Sequence, residues 1–133
     1  MIKLYTDGAC SGNPGPAGAG FYIEYPNKSE YSGKKNIGHS TNNIAELTAI
    51  KMGLEKLLDG KNSFEHEVVL STDSQYCIKS LTGNWKIKKN IVLIMTIKSL
   101  IEKFKNLTFE KVKGHSGNKG NEIADQLATS AIK

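Results

Sequence analysis

Four carboxylates stand at positions where regular structure would hold them firmly. Asp7 ends the alternating stretch Met1–Ala9 and directly precedes Gly8. Asp73 follows the apolar run Val68-Val69-Leu70. Glu46 lies in the first turn of the periodic stretch Asn42–Leu58, and Asp125 lies inside Asn118–Ile132. If the strands ending at Asp7 and Asp73 are parallel neighbours, their ends lie side by side, and all four carboxylates could converge at one edge of the sheet. Carboxylates brought that close repel one another unless a cation sits between them. Hard divalent ions such as Mg²⁺ take oxygen ligands and keep waters and substrate phosphate in their shell. Two such ions about 3.5–4 Å apart activate an attacking water and stabilise the leaving oxygen in phosphodiester cleavage.

Each carboxylate also has a plain structural reading. Asn43-Ile44-Ala45-Glu46 fits a capping pattern at a helix start. Asp73 could cap a helix beginning at Ser74, Asp7 could form a turn with Gly8, and Asp125 could be a solvated helix residue. Spacing alone leaves both readings open.

The elements that must position these groups follow from periodicity. Met1–Ala9 alternates as a strand, and Gly8 with the stretch Cys10–Gly20 breaks it. Gly20–Tyr25 and Glu30–Gly38 read as two strands joined around Pro26-Asn27-Lys28. Ile44, Leu47, Ile50, Leu54 and Leu57 form one helical face, which Gly60 ends. Glu67–Ser71 reads as a strand buried on both faces, and Ser74–Leu81 as a short helix. Asn90–Phe104 carries a helical stripe of Ile94, Ile97, Ile101 and Phe104, and is too long for a strand. Leu107–Lys113 alternates as a strand. Asn118–Ile132 forms a last helix with Ile123, Leu127 and Ala131 as its apolar line. The order βββ-α-β-α-α-β-α predicts an antiparallel meander extended by parallel strands, a mixed α/β fold.

A length of 133 residues with 38% hydrophobic content suits a single domain, residues 1–133, around one core. No apolar run approaches the eighteen or so residues of a membrane span, and the N-terminal residues do not read as a signal peptide. Cys10 and Cys77 make neither a metal spacing nor a disulfide framework, which points to a reducing cytoplasm. The net charge is +5, and all 18 basic residues are Lys. Excess positive charge favours polyanions such as nucleic acid, although solvated lysine faces are common. Lys contacts phosphate as a point charge, whereas Arg reads guanine edges, so the composition favours backbone binding over sequence readout.

Five stretches together resemble the ribonuclease H type 1 family. They are Tyr5-Thr6-Asp7-Gly8-Ala9-Cys10-Ser11-Gly12-Asn13-Pro14-Gly15, Thr41-Asn42-Asn43-Ile44-Ala45-Glu46-Leu47 and Ser71-Thr72-Asp73-Ser74-Gln75-Tyr76. Val112-Lys113-Gly114-His115-Ser116-Gly117 and Gly120-Asn121-Glu122-Ile123-Ala124-Asp125-Gln126-Leu127-Ala128 complete the set, in the family's order. The resemblance implies a five-stranded mixed sheet with helices on both faces. It also implies an endonuclease that cuts the RNA strand of RNA–DNA hybrids with two Mg²⁺ ions, Mn²⁺ being an alternative, and leaves 3′-hydroxyl and 5′-phosphate ends. Asp7, Glu46, Asp73 and Asp125 are then the metal ligands, with Asp7 bridging both ions. His115 matches a loop histidine associated with product release or proton movement. Asn13, Asn42, Asn43 and Gln75 match positions at the hybrid's minor groove, and Thr41 one that binds a DNA phosphate. Tyr76 and Trp85 match aromatic contacts to the DNA strand.

One departure stands out. Many family members carry a basic protrusion after the position of Trp85, whereas Asn84-Trp85-Lys86-Ile87-Lys88-Lys89-Asn90 runs straight into the next helix. Lys86, Lys88 and Lys89 are expected to replace part of its charge. The partner implied is a hybrid duplex, with no membrane and no obligate protein partner, and the chain is expected to act as a monomer. Three rival readings are a non-catalytic nucleic-acid-binding module, a nuclease for RNA–RNA duplexes and a purely structural or protein-interaction role. A pure binder of a polyanion gains nothing from clustered carboxylates.

Overall fold

A computed structural model describes residues 1–60, 65–83, 86–113 and 117–132. The strands are β1 (Ile2–Cys10), β2 (Gly15–Glu24), β3 (Glu30–Ser40), β4 (Glu67–Thr72) and β5 (Asn106–Lys111). The helices are α1 (Asn42–Asp59), α2 (Gln75–Thr82), α3 (Ile91–Ile101) and α4 (Lys119–Ala131). The sheet order is β3-β2-β1-β4-β5. The first three strands pair antiparallel, and β4 and β5 join parallel. This is the meander with parallel additions that the order of elements predicts.

Side-chain alternation along β1 assigns the helices to faces. A side chain at Gly53 of α1 would strike Leu4, and one at Gly120 of α4 would strike the ring of Tyr5. Leu4 and Tyr5 are consecutive, so α1 and α4 cover opposite faces. On the α1 face the main core gathers Leu4, Ile23, Leu47, Ile50, Leu54, Leu57, Leu70, Ile94 and Ile97. The α4 face holds a smaller cluster of Tyr5, Tyr22 and Ala124. Among the described residues, no helix is long and apolar enough to cross a membrane.

Three expectations need correction. β1 runs through Gly8, which pairs with Ala19, to Cys10, so Gly8 does not break it and Asp7 does not end it. β2 begins at Gly15, five residues before the expected start, so most of the glycine-rich stretch is a paired strand. The break is confined to Ser11–Pro14, where Gly12 takes φ +89° and the Asn13–Pro14 bond is cis. Glycine reads as turn punctuation in sequence, but Gly18 and Gly20 sit in β2 because α4 presses on them. The buried line of α4 is likewise shifted: Gly120, Ala124, Ala128 and Ala131 are buried, while Ile123 and Leu127 stay half-exposed. Small residues face the sheet because the helix backbone lies close to β2. The other boundaries differ by a few residues, as fraying ends do. α3 stops at Ile101, and Phe104 is buried beyond it.

Leu54 is fully buried in the α1 core. Leu54→Ala should cost roughly 2–5 kcal/mol, the usual range for an aliphatic side chain truncated in a core. Urea unfolding should show a lower midpoint with an unchanged m-value.

Candidate metal centre

The site forms where β1 leaves β4. Their parallel ladder ends at Tyr5 and Ser71. Asp7 and Asp73 each lie two residues beyond that last pair, at the point where β1 has an antiparallel neighbour on one side and a parallel one on the other. Ligand sites favour such switch points at strand ends. One carboxylate oxygen from each of Asp7, Glu46 and Asp73 lies within 4.8 Å of the other two. Asp125 is not part of this mutual group, but its carboxyl interacts with that of Asp7 from α4.

Local structure removes the plain readings of two of the carboxylates. Thr41, not Asn43, is the N-cap of α1, and its hydroxyl accepts from the Ile44 N–H at 3.2 Å. Glu46 therefore sits beyond the first turn, where it caps nothing. Its Oε1 instead accepts the backbone N–H of Gly8. Ser74 caps α2 by accepting from the Cys77 N–H at 3.1 Å, which frees Asp73 of that task. Asp7 is in strand conformation and takes the Gly8 N–H at 2.9 Å. Gly8 itself is a requirement of the site. A side chain there would overlap the backbone of Ala45 and Glu46. Its absence lets α1 bring Glu46 over the end of β1.

Electrostatics match the geometry. Asp7 is 5% exposed and Glu46 9%. Burial is the largest cause pushing the Asp7 carboxyl up to about 7. Contact with Glu46 opposes that rise, and the charges of Asp73 and Asp125 add to it. Burial, followed by Asp7 and Asp73, raises Glu46 well above the usual carboxylate range, against the Gly8 N–H. The buried thiol of Cys77 is pushed up to about 12, so it stays protonated and is no ligand. Among the described residues, Glu46 Oε2 is buried without a hydrogen-bond partner. An orphaned oxygen among close carboxylates is an acceptor set for a hard divalent cation, which takes oxygen ligands and neutralises the repulsion. The residues present therefore fit a metal ion.

The RNase H family model matches residues 1–133. The chain belongs to the RNase H family. It is 42% identical to the ribonuclease H of Orientia tsutsugamushi over 142 residues, covering 97% of this chain and 80% of that one. It is 38% identical to the ribonuclease H of Pseudomonas entomophila, covering 98% and 93%. Among solved structures, RNase H1 of the halophilic archaeon Halobacterium salinarum aligns with a TM-score of 0.85 at 32% identity, covering 98% of this chain and 96% of that one. LC11-RNase H1 in complex with an RNA/DNA hybrid aligns with a TM-score of 0.82 at 28% identity over the full length of both chains. RNase H enzymes are metal-dependent hydrolases, in keeping with the acidic cluster of this chain.

The remaining sequence-predicted residues are not part of the group that Asp7, Glu46 and Asp73 form, and two of them lie outside the described residues. Asn13, Asn42, Asn43 and Gln75 are exposed, and Thr41 is half-buried. Asn13 Oδ1 accepts the Asn42 N–H at 3.0 Å and so ties the β1–β2 turn to the start of α1. Lys86, Lys88 and Lys89 are exposed and, with Tyr76, Ser80 and Ile87, line a cleft of about 510 Å³. They precede α3 in an irregular segment, not in the helix. His115 and Trp85 lie outside the described residues. Sequence reasoning missed Asn90, whose side-chain amide donates to the Tyr76 hydroxyl at 3.1 Å. Asn90 takes φ +58° at the α3 N-cap, a region that Asn tolerates better than most residues, and its sequence signal is an Asn standing directly before the apolar run that starts at Ile91.

A pH dependence follows for the metal-free protein. The folded Asp7 carboxyl holds a proton that the unfolded chain, with an ordinary value of 3.8, has released. Between pH 4 and 7 the native state therefore binds more protons, and stability falls as pH rises, by up to about 1.4 kcal/mol per pH unit for each such group. Glu46 contributes in the same direction. Urea midpoints measured in chelator should drop from pH 5 to pH 8. Asp7→Asn should flatten the slope and leave the protein more stable than the parent at pH 8.

Proposed function

We propose that this protein is an endonuclease that hydrolyses the RNA strand of RNA–DNA hybrids and leaves 3′-hydroxyl and 5′-phosphate ends. The carrying observation is the approach of Asp7, Glu46 and Asp73 to within 4.8 Å in a chain of the RNase H family. The solved relative in complex with an RNA/DNA hybrid supports the choice of substrate.

Asp7, Glu46, Asp73 and Asp125 are the ligands in this reading, and Mg²⁺ is the cation, with Mn²⁺ as a substitute. Small hard ions suit an all-oxygen site that shares its shell with water and phosphate. A pair of such ions, when bound, lowers the pKa of the attacking water and neutralises the leaving oxygen. The chain supplies the placement. Asp7 is central, with Glu46 and Asp73 on the leaving-group side and Asp125 on the water side. The Gly8 N–H fixes the Glu46 carboxylate, and burial keeps bulk water from screening the charges. His115 moves a proton or assists product release.

Recognition falls to the surrounding polar and aromatic groups. Asn13, Asn42, Asn43 and Gln75 carry amides, which both donate and accept, as a 2′-hydroxyl does. Thr41 holds a DNA-strand phosphate. Tyr76 and Trp85 are assigned to contacts with the DNA strand, and Lys86, Lys88 and Lys89 to its phosphates. These contacts encode little sequence. The two free cysteines fit a reducing compartment, and we place the protein in the cytoplasm as a monomer of one domain.

Two experiments test this reading. Labelled hybrid, RNA duplex and DNA duplex are incubated with and without Mg²⁺. Only the hybrid should be cut, only with metal, and Asp7→Asn should reduce the rate by several orders of magnitude. Near-normal cleavage by Asp7→Asn, or equal cleavage of DNA duplex, defeats the assignment. In the second, Lys86, Lys88 and Lys89 are all changed to Ala. Hybrid KM should rise with kcat nearly unchanged, because binding is lost equally from ground and transition states. The log–log salt dependence of binding should flatten by about 0.7–0.9 per lost phosphate contact. An unchanged slope would mean that the lysines are solvated and idle.

A further inference from the structure

We propose that Gly20 is a positioning residue for the carboxylate site: its missing side chain seats α4 on the backbone of β2 and so sets how closely Asp125 approaches Asp7. The inference rests on the metal-site reading above. Gly20 is the direct cross-strand partner of Asp7. It lies on the α4 face, and a Cβ there would stand 2.7 Å from both the Ala124 carbonyl oxygen and the Ala128 nitrogen, and 2.8 Å from Leu127 Cβ. Two of these three atoms are backbone and cannot swing aside. Ordinary contact begins near 3.4 Å, so relief from 2.7 Å moves the helix by roughly half an ångström or more. Ala124 immediately precedes Asp125. The displacement therefore falls on the turn that carries the fourth carboxylate.

The arrangement has a counterpart on the opposite face. Gly8, next to Asp7 in sequence, admits the backbone of α1 at Ala45 and Glu46. Gly20, next to Asp7 across the ladder, admits α4 at Ala124 and Ala128. Each helix that brings a carboxylate to Asp7 thus rests on a glycine adjoining Asp7. The buried face of α4 continues this seam, with Ala124 and Ala128 fully buried. A seam of small residues serves packing wherever it occurs. Here its contact point adjoins both partners of one carboxylate pair, which makes it a distance setting.

The test compares wild type, Gly20→Ala and Gly33→Ala, alone and with Asp125→Glu. Gly33→Ala is the stability control, because the three atoms nearest its Cβ all belong to the Phe21 ring, a side chain on the α1 face. Each protein is checked for cooperative unfolding, for Mn²⁺ affinity by calorimetry without substrate, and for kcat and KM on a hybrid. Gly20→Ala should bind Mn²⁺ more weakly and lose about 10²-fold in kcat, the scale of a reacting group misplaced by up to an ångström, with KM unchanged. Asp125→Glu, one methylene longer, should lower kcat in wild type but raise it in Gly20→Ala, a coupling that a merely structural glycine would not produce. Gly33→Ala should lose stability while keeping kcat and Mn²⁺ affinity. A folded Gly20→Ala with wild-type Mn²⁺ affinity and kcat overturns the proposal, and so does failure of Asp125→Glu to restore any activity to it. If Gly20→Ala does not fold, Ala124→Ser, which adds one oxygen beneath the same helix turn against Tyr5 and Tyr22, undergoes the same measurements with the same criteria. A wild type that neither binds Mn²⁺ nor cuts the hybrid overturns the metal-site reading instead.

Discussion

The mutual repulsion of buried carboxylates is the constraint around which this molecule is arranged. Asp7 is nearly inaccessible and has Glu46, Asp73 and Asp125 for neighbours. In a low-dielectric setting such charges separate unless the scaffold prevents it or a cation compensates. Here the scaffold holds them with the least adaptable parts of the fold. Asp7 is in the central strand, Asp73 directly follows β4, and the two helical groups are borne by the helices that clamp opposite faces. Local stability is given up at the centre, and the apolar core behind α1 offsets the loss.

Backbone-to-backbone contact is how the clamp is made rigid. Side chains could absorb a shift of half an ångström by changing rotamer, but peptide groups cannot. The glycines at positions 8 and 20 bring helix backbones directly onto strand backbones beside Asp7. The same economy explains why α4 buries alanines and leaves Ile123 and Leu127 half-exposed. A larger buried stripe would gain apolar area and lose the approach.

Away from the centre, the surface is organised for a regular polyanion. The side-chain amide of Asn13 accepts the backbone N–H of Asn42 and so fastens the β1–β2 turn to α1. That link ties the turn to the helix that carries Glu46. Cationic charge comes only from Lys. A compact ammonium on a flexible stem follows phosphates without demanding the planar geometry that Arg imposes. Without a protrusion, Lys86, Lys88 and Lys89 are spaced along an irregular segment, beside a cleft that Tyr76 lines and Asn90 helps to hold.

Much of this was written in the sequence. Hydrophobic period and breakers gave the nine elements in order, because amphipathic burial is a local pattern read at 2.0 or 3.6 residues. The carboxylates were legible as candidates because each sits in a short motif, and the structure brings Asp7, Glu46 and Asp73 together. What the sequence could not decide was which structural duty each polar residue escapes. Thr41 and Ser74 take the caps, and only that outcome leaves Glu46 and Asp73 free. Nor could it separate a glycine that turns the chain from one that admits a helix. Gly12 does the first, at positive φ, and Gly20 does the second, inside a strand. The difference depends on a partner more than a hundred residues away, Ala124, and long-range contact leaves no periodic trace in the sequence around Gly20.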